Sequence, residues 1–299
     1  MSYSTFSARV ADGALAGGQW RADAAGLPIL AVHGISATHR SWDLVADALK
    51  GRRVIAADLR GRGRSNTLPG PYGLERHADD LAAALDALEV DRAFVAGHSM
   101  GAFVTVRFAE RHPDRVAGVV LIDGGMPVPN PVGVAPGDLP AVLLGPALER
   151  LSMTFPDRAS YLDFWRRHPA LGPYWNDAIE AYVEYDLDGT EPTLRSSARA
   201  EAVAENAVQL DGSDGYAAAL AGLPEPVDFF RAPRGLLDAA PLYPEAVVAE
   251  WAERMPQLVV HDVPDVNHYT IVMTAEGAGS VVPVIRTRLA AVEMKEGAS

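Results

Sequence analysis

Short, almost wholly apolar runs alternate with amphipathic helical segments through the first part of the chain, and this rhythm constrains the fold more than any other feature. LPILAVHG (27–34), RRVIAADLRG (52–61), RAFVAGHS (92–99) and VAGVVLIDGG (116–125) each carry the apolar stretch of a strand buried on both faces. Between them stand THRSWDLVADALK, YGLERHADDLAAALDALE and AFVTVRFAERHPDR, whose apolar residues recur at helical spacing. A strand, a helix and a second strand form a crossover, and repeated crossovers build a parallel sheet covered by helices on both faces. The pattern therefore predicts an α/β fold.

The rest of the chain varies this theme. STFSARVAD and ALAGGQWRAD read as a hairpin ahead of the first buried strand, with Asp12-Gly13 as its turn. After residue 125 prolines stand at 127, 129, 131, 136, 140 and 146, and a second pair, Pro224 and Pro226, precedes VDFFRAPRG. The intervening PDRASYLDFWRRHP, PYWNDAIEAYVEYDL and SSARAEAVAENAVQL are helical in pattern and carry no strand signal. This divides the chain into a sheet domain, 1–126 and 224–299, and a helical cap inserted at 127–223. Alternation then resumes with PEAVVAEWAERMP, QLVVHDVP and a closing helix in VVPVIRTRLAAVE.

Composition removes whole classes of function. The formal charge of −13 and the lack of basic runs beyond GRRV and RGRGR argue against a nucleic-acid partner. No apolar run approaches the ~20 residues of a membrane helix, and MSYSTFSARV lacks the basic and apolar regions of a leader; the expectation is a soluble, cytoplasmic protein. With no cysteine there is no disulfide, thiolate metal site or cysteine nucleophile. YDLDGTEPT, with Asp186, Asp188 and Glu191, lacks calcium-loop spacing, and RGRGRS lacks the G-K-[ST] end of a phosphate loop. Neither a metal nor a cofactor is expected.

GHSMG, residues 97–101, sits where the strand RAFVA meets a helix. A serine in such a turn is forced into a strained conformation, and the flanking glycines leave room where side chains would strike the neighbouring elements. On this strand–G-x-S-x-G–helix pattern, the HG at 33–34 and the surrounding alternation, the chain resembles the α/β-hydrolase superfamily. The resemblance covers nearly the whole chain. It implies a mostly parallel eight-stranded sheet with Ser99 as nucleophile and the order Ser, Asp, His.

His268, after the final strand, is where members of that superfamily carry their base. For the acid, Asp238 follows the strand VDFFR at the usual position, and Asp123 at the end of VVLID is the alternative. The oxyanion donors implied are the backbone N–H groups of Ile35 and Met100. His39 and His98 flank these groups and read as supporting or pocket-lining residues. Asp58 in AADLRGRGRS is expected to anchor its loop through Arg60 or Arg64. In the cap, Trp165, Trp175, Tyr161 and Tyr182 either pack or face the cleft, and Arg166, Arg167 or Arg195 is a possible carboxylate anchor.

These residues together point to a serine hydrolase of a small apolar carboxylic ester or lactone. The alternatives are a carbon-carbon bond hydrolase, whose relatives usually carry Asn before the serine and Trp after the histidine where this chain has His98 and Tyr269, or a non-catalytic ligand-binding member. Substrate and oligomeric state are not expressed in the sequence.

Overall fold

The computed structural model describes residues 2–128, 145, 149–224 and 226–297. Eight strands form one sheet: β1 (Tyr3–Val10), β2 (Gly13–Trp20), β3 (Ile29–Val32), β4 (Val54–Ala57), β5 (Ala93–His98), β6 (Val116–Ile122), β9 (Val227–Arg231) and β10 (Leu258–Asp262). Their spatial order is β1-β2-β4-β3-β5-β6-β9-β10. β1 and β2 pair antiparallel, β2 runs antiparallel to β4, and the remaining neighbours are parallel, as the crossovers require.

Side chains of the central strands alternate between two cores, one on each face of the sheet. Leu30, Val32, Ile55, Val95, Val119 and Leu121 face one layer, which is closed by the helices α2 (Leu74–Ala87) and α3 (Met100–Arg111). Ile29, Ala31, Val54, Phe94, Ala96 and Val120 face the other, closed by α1 (Asp43–Ala48) and the C-terminal helix Ala275–Gly297. A period of two on a strand that is apolar throughout is the physical content of its unbroken hydrophobic run.

The N-terminal hairpin forms, but one residue earlier than expected. Val10 pairs with Gly13, so the turn residues are Ala11 and Asp12, and Asp12 takes the left-handed conformation with φ 69°.

Between β6 and β9 the described chain forms the helices Arg158–Arg166, Asp177–Asp186, Ala200–Ala207 and Tyr216–Ala221. The expected cap, 127–223, includes 129–144 and 146–148, with five of its prolines, and these lie outside the described residues. The expectation of a strandless insertion is corrected by a short antiparallel ribbon, β7 (Leu187–Asp188) with β8 (Arg195–Ser196). Residues 189–193 of the YDLDGTEPT stretch lie in its turn. No helix among the described residues is long and apolar enough to cross a membrane.

Candidate active site

Ser99 follows the last residue of β5 and caps α3, with φ 56° and ψ −127°. Its N–H donates to Ile122 O of β6 at 2.9 Å, which pins the turn to the sheet. The neighbouring glycines are required by contact. A β-carbon on Gly97 would stand 2.4 Å from Gly101 O, and one on Gly101 only 2.0 Å from Val32 O. Strand and helix thus meet too closely for any side chain at either position, and the turn sets Ser99 in the lining of a cavity of about 840 Å³.

His268 lines the same cavity from the loop after β10, and its ring is almost fully buried. Its Nδ1–H donates to Asp123 Oδ2 at 2.7 Å. Asp123 stands one residue beyond β6 with φ 43° and is fully buried; its Oδ1 accepts from Ala232 N–H at 3.1 Å. The expectation that Asp238 stands behind the histidine is therefore corrected. Asp238 Oδ1 accepts from Asn267 Nδ2 at 2.8 Å, and its carboxylate lies beside Arg234, partly exposed. It supports the histidine loop rather than the imidazole: Asn267 Oδ1 accepts from the N–H groups of Tyr269 and Thr270, each at 3.0 Å.

The two amides expected to receive an oxyanion both belong to residues lining the cavity, Ile35 and Met100. A β-carbon on Gly34 would lie 3.4 Å from Ser99 Oγ, so the Gly34–Ile35 peptide passes close to that hydroxyl. Its orientation is fixed from the carbonyl side. Gly34 O accepts from His33 Nδ1 at 2.8 Å and from Ala37 N–H at 3.2 Å. In a trans peptide the N–H points opposite to the carbonyl, so the Ile35 amide is turned away from these partners. Ile35 O is held in turn by the buried Arg62 Nε at 2.8 Å, whose Nη2 reaches Asn206 Oδ1 of the insertion at 2.8 Å. Met100 N–H opens α3, where the helix dipole favours negative charge.

His98 holds the backbone of His268 in place. Its Nε2 lies 2.7 Å from His268 O, and a carbonyl can accept but not donate, so the proton of His98 sits on Nε2. Burial, and then the neighbouring His268, push its pKa well below the ordinary histidine value, which keeps it neutral. Asp58 anchors its loop as expected of it, through Arg64 N–H at 2.9 Å; Arg60 instead pairs with Asp80, and His39 and the hydroxyl of Tyr185 are further partners of Asp58. Among the expected cap residues, Trp165, Tyr182 and Arg167 line the cavity, whereas Arg166 pairs with Glu180 and Arg195 lies near Asp188, both at the surface. Tyr161 packs inside the insertion, and Trp175 donates to Glu180. Among the described residues no group of three or more His, Cys, Asp or Glu is placed to hold a metal.

The buried neutral histidines make stability depend on pH. Burial lowers His33 to about 4 and holds His77 and His98 well below 6.5. As pH falls below 6.5 the unfolded chain gains protons that the folded one refuses, so each of these contributions is full above about 6.5 and drains away below it, at roughly 1.4 kcal/mol per pH unit per histidine. Asp43 runs the other way: burial raises it to about 6, so the folded state takes up its proton first and regains stability between 6 and 4. The net expectation is a loss on acidification. Urea unfolding from pH 7.5 to 4.5 measures it, and His77→Gln, which keeps a donor toward Asn206 Oδ1, should flatten the slope by about 1.4 kcal/mol per pH unit. An unchanged slope would refute the assignment.

Comparison with known proteins agrees with this architecture. Residues 28–219 match the model of the alpha/beta hydrolase fold family. The chain is 34% identical over 174 residues to a protein named epoxide hydrolase B from Mycobacterium tuberculosis, covering 56% of this chain and 45% of that one. It is 37% identical over 103 residues to a 2-hydroxymuconate semialdehyde hydrolase from a Pseudomonas strain, covering 33% and 36%. The matched stretches thus span less than half of either relative. Among solved structures, E-2-(acetamidomethylene)succinate hydrolase superposes with a TM-score of 0.76 at 26% identity, over 95% of this chain and 100% of the other.

Proposed function

The chain belongs to the α/β-hydrolase fold family, and from that premise we propose that it is a serine hydrolase of carboxylic esters, lactones included, acting through an acyl-enzyme. The observation that carries the reading is the meeting of Ser99, on its strained turn, and His268, backed by the buried Asp123, in one cavity.

In this mechanism Asp123 holds the Nδ1–H tautomer of His268, so that Nε2 is the free base. Ser99 Oγ attacks the carbonyl carbon and its proton passes to Nε2, the two groups closing to hydrogen-bond reach in the substrate complex. The tetrahedral oxygen is received by the Ile35 and Met100 amides. Collapse expels the alcohol, which takes the proton from His268. Water then repeats the sequence on the acyl-enzyme and releases the acid.

The identity of the nucleophile separates this reading from epoxide opening, because superfamily members with that activity use an aspartate where this chain has Ser99. Likeness to the hydroxymuconate semialdehyde hydrolase favours a second reading, cleavage of a carbon-carbon bond by the same serine. The test is hydrolysis of 4-nitrophenyl esters from acetate to decanoate beside a set of lactones, with a fluorophosphonate probe mapped by peptide mass spectrometry. Turnover with label on Ser99 is expected. Label without turnover of any ester or lactone would move the assignment to the carbon-carbon reading, and no label would overturn the activated serine itself.

A further inference from the structure

The cavity over Ser99 contains an electrostatic asymmetry. The chain carries a formal charge of −13, yet the described residues lining this cavity include two arginines, Arg150 and Arg167, and no aspartate or glutamate. Arg150 was not among the arginines singled out from the sequence.

Arg150 lies in the helical stretch 149–152 and is buried, with a side-chain exposure of 3%. Its Nη1 reaches Asp186 Oδ2 at 3.3 Å and Tyr161 Oη at 3.4 Å, both long for a charge-assisted contact. Asp186 is already occupied: its oxygens accept from the hydroxyls of Tyr161, Ser196 and Ser197. The guanidinium carbon stands 4.8 Å from the Trp165 ring centroid, which fixes the plane of the fork. Among the described residues both acceptors take Nη1, and none takes Nε–H or the Nη2 hydrogens.

Two phenols complete the arrangement. Tyr182 and Tyr269 line the cavity and lie within the field of Arg150, and burial keeps both hydroxyls protonated. His168 adds no charge, because burial and then Arg150 lower it to about 4. A run of ring contacts connects this end to the catalytic base: Trp165 to His168 at 5.4 Å, His168 to Tyr269 at 5.7 Å and Tyr269 to His268 at 5.5 Å.

We infer that the substrate carries a carboxylate besides its scissile ester, received by the Nε and Nη2 donors of Arg150 together with the hydroxyls of Tyr182 and Tyr269. A bidentate guanidinium matches a carboxylate in shape, and a buried cation beside two phenols in an apolar cavity gains most from an anion brought in by the ligand. Arg167, exposed at the same cavity, adds positive potential where the substrate enters. The expected apolar substrate thereby becomes an apolar ester with one anionic end. This inference rests on the serine-hydrolase reading.

The experiment compares monoethyl adipate with diethyl adipate, and 4-acetoxybutyrate with its methyl ester, by pH-stat. At least one anionic member should exceed its neutral partner in kcat/KM on the order of 100-fold, and Arg150→Gln should remove that ratio. Tyr182→Phe, which spares the Asp186 contact, should lower the ratio about 10-fold and decides the matter if Arg150→Gln fails to fold. Calorimetric titration of Ser99→Ala with adipate reads the anion site without turnover. Adipate bound by Ser99→Ala and lost in Ser99→Ala/Tyr182→Phe, with no ester hydrolysed by the parent protein, would keep the anion site and sink the esterase reading. Neutral esters hydrolysed as fast as anionic ones, with no adipate bound, would overturn the anion site and leave the esterase reading standing.

Discussion

Ser99→Ala is expected to lower kcat toward a 4-nitrophenyl ester on the order of 10⁶-fold while leaving the urea midpoint nearly unchanged. In the proposed mechanism the serine supplies the atom that bonds to the substrate, so its removal would end covalent catalysis and leave only what the oxyanion donors and substrate positioning contribute. The fold should not feel the loss. The turn is held by Ser99 N–H on Ile122 O and by Ala102 N–H on Ser99 O, at 2.9 and 3.0 Å, and both are backbone contacts that alanine keeps. The close packing of Gly97 and Gly101 is likewise untouched. Steady-state kinetics beside equilibrium unfolding checks both halves. Retention of a tenth of the activity would place the nucleophile elsewhere.

What the sequence exposed was whatever depends on short-range pattern. Unbroken apolar runs and helical spacing were enough for the crossovers of β3 to β6, because burial on both faces leaves no polar position in a strand. GHSMG was legible for a related reason: only a glycine-flanked turn of strand into helix makes that spacing necessary. The acid was not legible. Two aspartates follow neighbouring strands, and which one reaches the imidazole depends on register. In the structure His98, Ile122 and Phe230 lie side by side across β5, β6 and β9. The residue after Ile122 is then Asp123, next to the elbow, whereas Asp238 comes only after a loop of several residues and turns toward Asn267.

Other features were hidden because they arise from the insertion's tertiary contacts. Asp186 looked like part of an acidic loop, and its meaning appears when the ribbon of β7 and β8 brings Ser196 and Ser197 onto its carboxylate. Arg150 stands in a stretch with no motif, and its importance comes from the cavity it joins. His98 could be named as a neighbour of Ser99, but its bond to the backbone of His268 spans 170 residues of sequence. Contacts of that separation leave no local trace in composition or periodicity.

The sharpest separation between the sequence-based acid and the structural one is a pair of variants. Asp123→Asn should lower kcat by about 10⁴-fold. An amide at that position presents an N–H to Nδ1, which forces the proton onto Nε2, and an imidazole protonated there cannot accept the proton of Ser99. The main-chain frame should survive, since Asp123 N–H donates to Phe230 O regardless of the side chain. Asp238→Asn keeps an acceptor for Asn267 Nδ2 and loses its charge partner Arg234 at a partly exposed position, where such a pair is worth ~1 kcal/mol or less. Its kcat should stay within about tenfold of the parent. Measured on one ester at saturating substrate, with circular dichroism to verify folding, the ranking Asp123→Asn far below Asp238→Asn is required. The reverse ranking would mean that the histidine loop rearranges in the working enzyme so that His268 exchanges one aspartate for the other, and the hydrogen bond at 2.7 Å would then belong to a resting state.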